Sequence, residues 1–181
     1  MSTIVEILGA DCTDAIIMFI TVFVTIAIYR FQKIHEHRNA ARIIVMQIEA
    51  INQNVDKLVG TLGLDVNNMD IDKFWQSEKI IEKNEWEHYR YLFANKLKYN
   101  EMYAINIYYS NVISVYTQQE QIKHIIAEAS KKIALKEPKS DESKIIIPEL
   151  FWITISMQYD RIYESRKIIP YDKLKKIAKM K

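Results

Sequence analysis

The pattern of apolar and polar positions changes abruptly along the first third of the chain. Residues 15–29 read AIIMFITVFVTIAIY, with no charged residue and two threonines as the polar positions. A helix that is apolar on every side belongs in a membrane or deep inside a protein, because it offers no polar face to water. The apolar residues that carry this prediction are Ile16, Ile17, Phe19, Ile20, Phe23, Val24, Ile26 and Ile28.

Length and energetics favour a membrane over a protein core for this helix. Residues 15–29 rise about 22 Å, and residues 13–34 rise about 33 Å, against a hydrocarbon core of about 30 Å. The apolar side chains together contribute roughly 3–5 kcal/mol to insertion. Arg30 and Lys33 relieve the short length, because their long stems lie in the acyl region while their charges reach water. We therefore predict a transmembrane helix over residues 14–31, with a buried core helix as the alternative.

The distribution of Lys and Arg predicts the orientation of this span. None precedes the apolar run, whereas Arg30, Lys33 and Arg38 follow it closely. Since cytoplasmic flanks carry the excess of these residues, we expect residues 1–13 to be a short segment outside the membrane. The single cysteine, Cys12, would lie on that side. An acidic segment before the run and the lack of a cleavage site after it disfavour a signal peptide.

After the span the apolar positions repeat every seven residues, in two series three residues apart. These series predict one apolar stripe along a juxtamembrane amphipathic helix over residues 32–62, with Gly60 as its stop signal. Two interpretations stay open, since the stripe either packs on the rest of the same chain or forms a parallel coiled coil between copies. The stripe consists of Ile34, Ala41, Ile44, Ile48, Ile51, Val55 and Leu58.

Residues 63–181 show helical periodicity in segments separated by polar stretches, which indicates a cytoplasmic helical domain with a basic C-terminal segment. Only 3 Gly and 3 Pro occur in the whole chain, so a turn-rich β architecture is disfavoured. An alternation over residues 151–157 leaves one strand as an alternative to helix. The predicted helices cover residues 71–83, residues 85–98 with Asn84 as N-cap, residues 101–135, residues 148–167 with Pro148 in the first turn, and the segment after Pro170.

The fold class that follows is all-α. One N-terminal transmembrane helix continues into a long amphipathic helix and then into a cytoplasmic helical bundle. The heavy use of Ile, Lys and Asn is typical of bacterial coding with low GC content. We therefore expect the protein in a bacterial inner (plasma) membrane, with its N-terminus outside and its C-terminus in the cytoplasm.

Clusters that resemble catalytic or metal sites are incomplete. Glu85 and His88 have the i, i+3 spacing of helical di-iron ligands, but such a site needs a second pair and two more glutamates, and the nearest candidate pair, Gln121 and His124, has an amide where a carboxylate is required. Arg30 and His35 have the spacing of a helical ribonuclease-like motif, yet Arg30 is expected among lipid headgroups. The glycines are too scattered for a phosphate-binding loop. The sequence predicts no catalytic, cofactor-binding or metal-binding residue, and a helical nuclease or metal enzyme is the weaker alternative.

Two surface features point to partners. The C-terminal lysines Lys173, Lys175, Lys176 and Lys179 surround Leu174 and other apolar residues, which is the pattern of an amphipathic cationic helix. Such a helix suits anionic lipid or an acidic partner; a solvated tail is the alternative, and nucleic acid is disfavoured beside a membrane anchor.

The tyrosines are the second feature. Tyr103, Tyr108 and Tyr109 cannot all face one core, so some are expected in a groove or an interface, where tyrosine is enriched. A solvated position at the edge of a helical bundle is the alternative for them.

The segment of residues 85–112 contains a W-x-x-Y-x-x-L-F element made by Trp86, Tyr89, Leu92 and Phe93. With the preceding span and the ending KLKKIAKMK, it resembles small uncharacterised bacterial single-span membrane proteins with a helical cytoplasmic domain. The resemblance implies membrane location and a helical fold, and it implies no activity.

The function expected from the sequence is that of a non-enzymatic membrane-anchored protein that binds or scaffolds partners. Those partners are the lipid bilayer, an unknown cytoplasmic protein, and a second copy of the chain through the span and the heptad helix. No cofactor is expected. The alternative is an oligomeric membrane effector of the phage-defence type that perturbs the bilayer, with Thr21 and Thr25 joining neighbouring spans by hydrogen bonds.

Overall fold

The computed structural model confirms the predicted all-α class. It describes the backbone of residues 2–62, 71–135 and 149–180, and side chains within residues 15–60, 72, 74–131 and 157–180. Within those ranges no strand occurs, and residues 151–157 are helical. The predicted helix start at Pro148 lies outside the described residues. The helices are α1 (Ser2–Leu62), α2 (Ile71–Gln76), α3 (Glu85–Tyr89), α4 (Tyr99–Leu135), α5 (Glu149–Ile168) and α6 (Tyr171–Ala178).

α1 is a single helix of 61 residues, about 90 Å long, that contains both the apolar run and the heptad stripe. It continues through Gly60 to Leu62, so the predicted stop at Gly60 is wrong. A Cβ atom at Gly60 would meet nothing within 4 Å. Glycine inside a helix lowers helix stability by only about 1 kcal/mol relative to alanine. The other residues of α1 stabilise the helix enough to offset this loss.

The first described part of α1, residues 15–34, contacts no core and is here called the exposed half. Its large apolar side chains are all at least 49% exposed, and Met18 reaches 72%. The helix is long and apolar enough to cross a membrane, and none of its most apolar window is buried. The alternative of a buried core helix is not what the structure shows, because no described part of the chain covers this segment.

Residues 40–58 of α1, here called the buried half, carry the stripe into the core of the same chain. Ile34 departs from the prediction, because it remains 49% exposed in the exposed half. Ala40 and Val45 widen the stripe beyond the predicted positions. Of the two interpretations, packing on the rest of the same chain is the one observed here. The buried stripe residues are Ala41, Ile44, Ile48, Ile51, Val55 and Leu58.

The other helices surround the buried half of α1. α4 runs in the same direction as α1, and its Tyr108 hydroxyl donates to Asn52 (2.8 Å). α5 returns beside α4, and Arg166 near its end pairs with Asp56 of α1 (3.2 Å). α6 then continues along α1 towards the exposed half, with the Tyr171 hydroxyl donating to the Glu49 carboxylate.

α2 ends at Gln76, so the helix predicted to continue to residue 83 is wrong. Residues 77–84 form an irregular segment in which the consecutive residues Ile80 and Ile81 are both buried. Side chains of α1 replace the helical hydrogen bonds there, since Asn54 donates to the carbonyl of Lys79 (3.2 Å).

The next predicted helix is also shorter than expected. Asn84 is the N-cap of α3, as predicted, and accepts from the Glu87 backbone N–H (3.2 Å). α3 ends at Tyr89 and a 3₁₀ turn follows at Arg90–Phe93. This tighter turn brings Phe93 against Trp86, with ring centroids 5.6 Å apart and both side chains buried.

Candidate anion-binding groove

A groove of about 440 Å³ lies where the exposed half of α1 meets the bundle. We call it the basic groove. Three segments distant in sequence form it: one face of α1, the turn after the 3₁₀ helix, and the last turn of α6. Its lining residues are Arg30, Lys33, Ile34, His37, Arg38, Asn95, Lys96 and Ile177.

α1 supplies the floor of the groove through its helical periodicity. Arg30, Lys33, His37 and their neighbours are separated by three or four residues, so they share one face of the helix. His37 interrupts the apolar heptads of the sequence and here donates through Nδ1 to the carbonyl of Lys33 (2.6 Å). This contact fixes the ring against the helix, and the face remains polar and cationic.

A turn at residues 94–97 supplies one wall. The backbone N–H groups of Lys96 and Leu97 both donate to the carbonyl of Phe93 (2.9 Å each). Leu97 is buried and anchors the turn, while Asn95 and Lys96 are exposed on the outside. The Lys96 charge is thereby set opposite the cationic face of α1.

α6 supplies the other wall, and it is not a free tail. Leu174 and Ala178 are fully buried against the core, and Arg42 Nε of α1 donates to the Ala178 carbonyl (3.1 Å). α1 therefore covers the apolar face of α6, so the alternative of a solvated tail is wrong, while binding of lipid or an acidic partner by its lysines stays a prediction. The docking leaves Ile177 at the groove.

The four lysines predicted to bind lipid or an acidic partner divide into two pairs. Lys173 pairs with Glu101 of α4 (2.6 Å), and Lys175 lies 3.7 Å from Glu49 of α1. These two hold α6 in place. Lys176 and Lys179 are exposed and do not line the groove.

Electrostatic compensation is missing in the basic groove. Among the described residues, no carboxylate lines the groove and none of its four permanent cations forms an ion pair. Lys33 lies over the Tyr29 ring at 5.9 Å, which leaves its charge unneutralised. Six basic side chains elsewhere on the bundle have acidic partners, and others, such as Lys98 and Lys176, form no ion pair with a described residue; the six are Lys57, Lys83, Arg166, Lys167, Lys173 and Lys175. The groove is therefore a concentration of positive charge with room for an anion.

Glu101, on the helix that follows the turn, already has two hydrogen-bond partners, Lys173 and the Lys98 backbone N–H. A hydrogen bond from Lys173 lowers the pKa of the Glu101 carboxyl, and the Lys98 backbone N–H (2.6 Å) lowers it further. This carboxylate is held ionised by α6 and by its own helix terminus. It contributes to docking α6 and does not line the groove.

The residues considered for catalysis are not brought together. Arg30 lines the groove, whereas the exposed His35 ring packs on Phe31 with centroids 4.5 Å apart and is not part of the lining. Glu85 pairs with Lys83 (3.2 Å), and His88 is exposed beside its neighbour Tyr89. Among residues whose side chains the structure describes, no three His, Cys, Asp or Glu side chains are arranged to hold a metal ion.

The tyrosines divide between core and surface. Tyr108 and Tyr109 are buried, and burial raises the pKa of both hydroxyls, which donate to Asn52 (2.8 Å) and Gln47 (2.9 Å). Tyr103 is exposed and stacks with Tyr99 at 6.3 Å between centroids. The two buried rings have structural roles, and the exposed pair lies at the same end of the bundle as the groove turn.

The two threonines of the exposed half have partners within α1. Thr21 Oγ1 donates to the carbonyl of Ile17 and Thr25 Oγ1 to that of Thr21, both at 2.8 Å. Both hydroxyl groups therefore donate to backbone carbonyls of α1 itself.

No family model, no curated protein and no solved structure matches this chain.

Three parts of the groove were absent from the sequence-based site. Asn95, Lys96 and Ile177 carry no functional motif, and each lies more than 50 residues in sequence from the α1 face. The signals that the sequence does contain are the cluster of basic residues after the apolar run and the polar His37 within an apolar repeat. Neither signal identifies the opposite wall.

Proposed function

We propose that this chain is a non-enzymatic, membrane-anchored helical protein that binds or scaffolds partners at the cytoplasmic face of a bacterial inner membrane. The observation that supports the proposal best is the exposed half of α1. About twenty residues of nearly uninterrupted apolar surface are left uncovered, then continue without a break into a packed bundle. Lipid is the solvent that such a surface requires.

The proposed orientation places residues 1–13 outside and the bundle in the cytoplasm. Arg30, Lys33 and Arg38 follow the apolar segment, and the basic groove adds Lys96 at the same level. The positive charge on this side of the span therefore comes from the folded domain as well as from the linking helix, in agreement with the positive-inside rule.

The proposed partner surface is the aromatic group on the bundle at the groove end. Tyr91, Tyr99 and Tyr103 are 65%, 85% and 55% exposed, although large aromatic side chains usually lie in cores. Tyrosine is enriched at protein interfaces because its ring supplies contact area and its hydroxyl a hydrogen bond. A rigid α1 would hold this surface at a fixed distance from the bilayer.

The orientation is tested with the single cysteine. We expect a membrane-impermeant maleimide added to spheroplasts to label Cys12. In a Cys12→Ser, Met46→Cys variant, whose new thiol takes an exposed position on the buried half of α1, we expect labelling only after permeabilisation. The opposite pattern would contradict the proposed topology, and labelling of both before permeabilisation in sealed spheroplasts would contradict a span.

The partner role is tested with a photo-crosslinking residue in place of Tyr103, in membranes from the natural host. We expect an adduct with one particular protein, reduced by a second change, Tyr99→Ser, and retained with the control His124→Ser, which alters an exposed residue far along α4. No adduct would overturn the scaffolding role. Adducts of the chain with itself alone would favour the oligomeric membrane effector instead.

A further inference from the structure

We propose that the basic groove binds the phosphate of one anionic phospholipid from the cytoplasmic leaflet, with its glycerol and upper acyl chain against Ile34 and Ile177. The inference rests on the proposed membrane anchoring and goes beyond it, because anchoring alone requires no lipid of a particular charge. The group that the cations would recognise is a phosphate ester. We propose that a membrane phospholipid, and not a soluble phosphate ester, supplies it.

Charge complementarity is the first argument. Arg30, Lys33, Arg38 and Lys96 line one groove of about 440 Å³ with no carboxylate among its lining residues. Holding four like charges near each other is unfavourable unless a counter-charge is present. A phosphate accepts hydrogen bonds on several oxygens at once, and guanidinium groups match its geometry. Such a volume lies within the range of small-molecule sites.

Position along α1 is the second argument. Arg30 is the first charged residue after the apolar run, so it marks the edge of the hydrocarbon region when α1 spans a bilayer. The groove extends from Arg30 to Arg38, about 12 Å along the helix axis. The headgroup layer on each side of a bilayer is about 5–8 Å thick. Phospholipid phosphates therefore lie at the depth of the groove.

The mixed lining is the third argument. Ile34 and Ile177 stand among the cations, and Ile34 is 49% exposed. A free phosphate ion or a nucleic-acid backbone gains nothing from apolar walls. A phospholipid presents a charged phosphate next to a glyceryl and acyl portion, so it satisfies both kinds of lining residue.

The architecture of the groove is the fourth argument. Its walls are fixed by contacts outside the site, namely the Lys173–Glu101 pair at 2.6 Å and the Arg42 bond to the Ala178 carbonyl at 3.1 Å. A site whose walls are held by other residues loses less entropy when a ligand binds. This separates the groove from a flexible basic tail, which attracts anionic membranes without a defined stoichiometry.

Native mass spectrometry of the full chain released from detergent micelles tests the proposal. The probes are phosphatidylglycerol, phosphatidylcholine, glycerol 3-phosphate and a short single-stranded RNA. We expect one phosphatidylglycerol per chain, with binding at least tenfold weaker for phosphatidylcholine and glycerol 3-phosphate. Equal binding of the two lipids, or of glycerol 3-phosphate and phosphatidylglycerol, would overturn the proposal, and tighter RNA binding would assign the groove to nucleic acid.

Matched charge removals separate the groove from diffuse attraction. Since a juxtamembrane cation contributes about a fivefold change in lipid binding, we expect Lys96→Gln to weaken phosphatidylglycerol binding by at least that factor. Lys98→Gln, two residues away and exposed outside the groove, should change it by less than twofold. Equal losses from both variants would show diffuse attraction and overturn the site.

Flotation of the same proteins on liposomes keeps this inference distinct from the proposed function. A wild-type chain that floats but shows no preference for phosphatidylglycerol contradicts the lipid site alone. A chain that fails to float contradicts the membrane anchor itself, and with it the lipid source of the ligand.

Discussion

Along α1, the exposed half and the buried half are both rich in isoleucine and valine, yet their side chains have opposite surroundings. Phe19 and Ile20 are 69% and 57% exposed, whereas Ile44 and Ile48 are at most 1% exposed. The difference lies in what occupies the rest of the circumference. In the buried half, Gln47 and Asn54 flank the stripe and donate to backbone carbonyls of residues 77–84. In the exposed half nearly every position is apolar.

The comparison shows that the angular distribution of apolar residues, and not their number, selects the solvent of a helix. A stripe leaves a polar face for water and so suits packing on one side. A fully apolar circumference offers no face to water and so suits a membrane or the interior of a protein. One continuous helix thereby couples two environments, and the basic groove lies at the junction between them.

The largest expected effect comes from a charge in the exposed half. Phe23→Asp should make insertion less favourable by about 3 kcal/mol, comparable to the contribution of the whole run. The expected result is loss of most of the protein from floated, carbonate-washed membranes. Met46→Asp, at an exposed position of the buried half, is the matched control and should float like the wild type. Unchanged flotation of Phe23→Asp would remove the distinction between the halves.

A smaller effect is expected from one truncation made in each half. Ile48→Ala removes a fully buried side chain, so the free energy of unfolding of the bundle should fall by about 2–5 kcal/mol. Ile20→Ala is the same change where no protein packs, and it should leave bundle stability within about 0.5 kcal/mol of the wild type. Denaturant titration in micelles, followed by fluorescence of the buried Trp86, gives both values. Equal losses would mean that the exposed half also packs on the bundle.

The smallest effect concerns pH and the docking of α6 on the buried half. The lowered pKa of Glu101 means that its stabilising contribution is complete above the ordinary value of 4.5 and is lost as pH falls through the lowered, folded-state pKa. Glu101→Gln should therefore show a weaker loss of stability on acidification below about pH 5 than the wild type.

Thermal unfolding of the bundle at a series of acidic pH values measures this difference. Glu164→Gln is the control, because its pair with Lys167 is exposed on both sides and lies within α5. Identical pH profiles for Glu101→Gln and the wild type would show that the Lys173 contact does not stabilise the docking of α6. Membrane flotation should not change with either substitution, since neither residue belongs to the exposed half.

The sequence predicts long helices with strong apolar periodicity better than it predicts short helical segments. α1 and α4 are long and periodic, so both helices were predicted, and the ends of α4 and the C-terminal end of α1 were predicted within a few residues. α1 begins at Ser2, however, about twelve residues before the predicted start of the span at residue 14. The segments around α2 and α3 were predicted as longer helices. After α2, Gln47 and Asn54 of α1 donate to backbone carbonyls of the segment, so tertiary contacts override helical propensity there.

The sequence by itself determined that the chain is helical, that one helix has a fully apolar segment, and that a single apolar stripe follows it. Those properties depend on residues that are neighbours along one helix, so the spacing of apolar residues in the sequence predicts them. Only the tertiary structure decided that the stripe packs inside its own chain, that α6 is docked, and that Lys96 and Ile177 meet the cations after the apolar segment. Contacts between residues so distant in sequence depend on how whole helices pack, and no spacing within one segment encodes them.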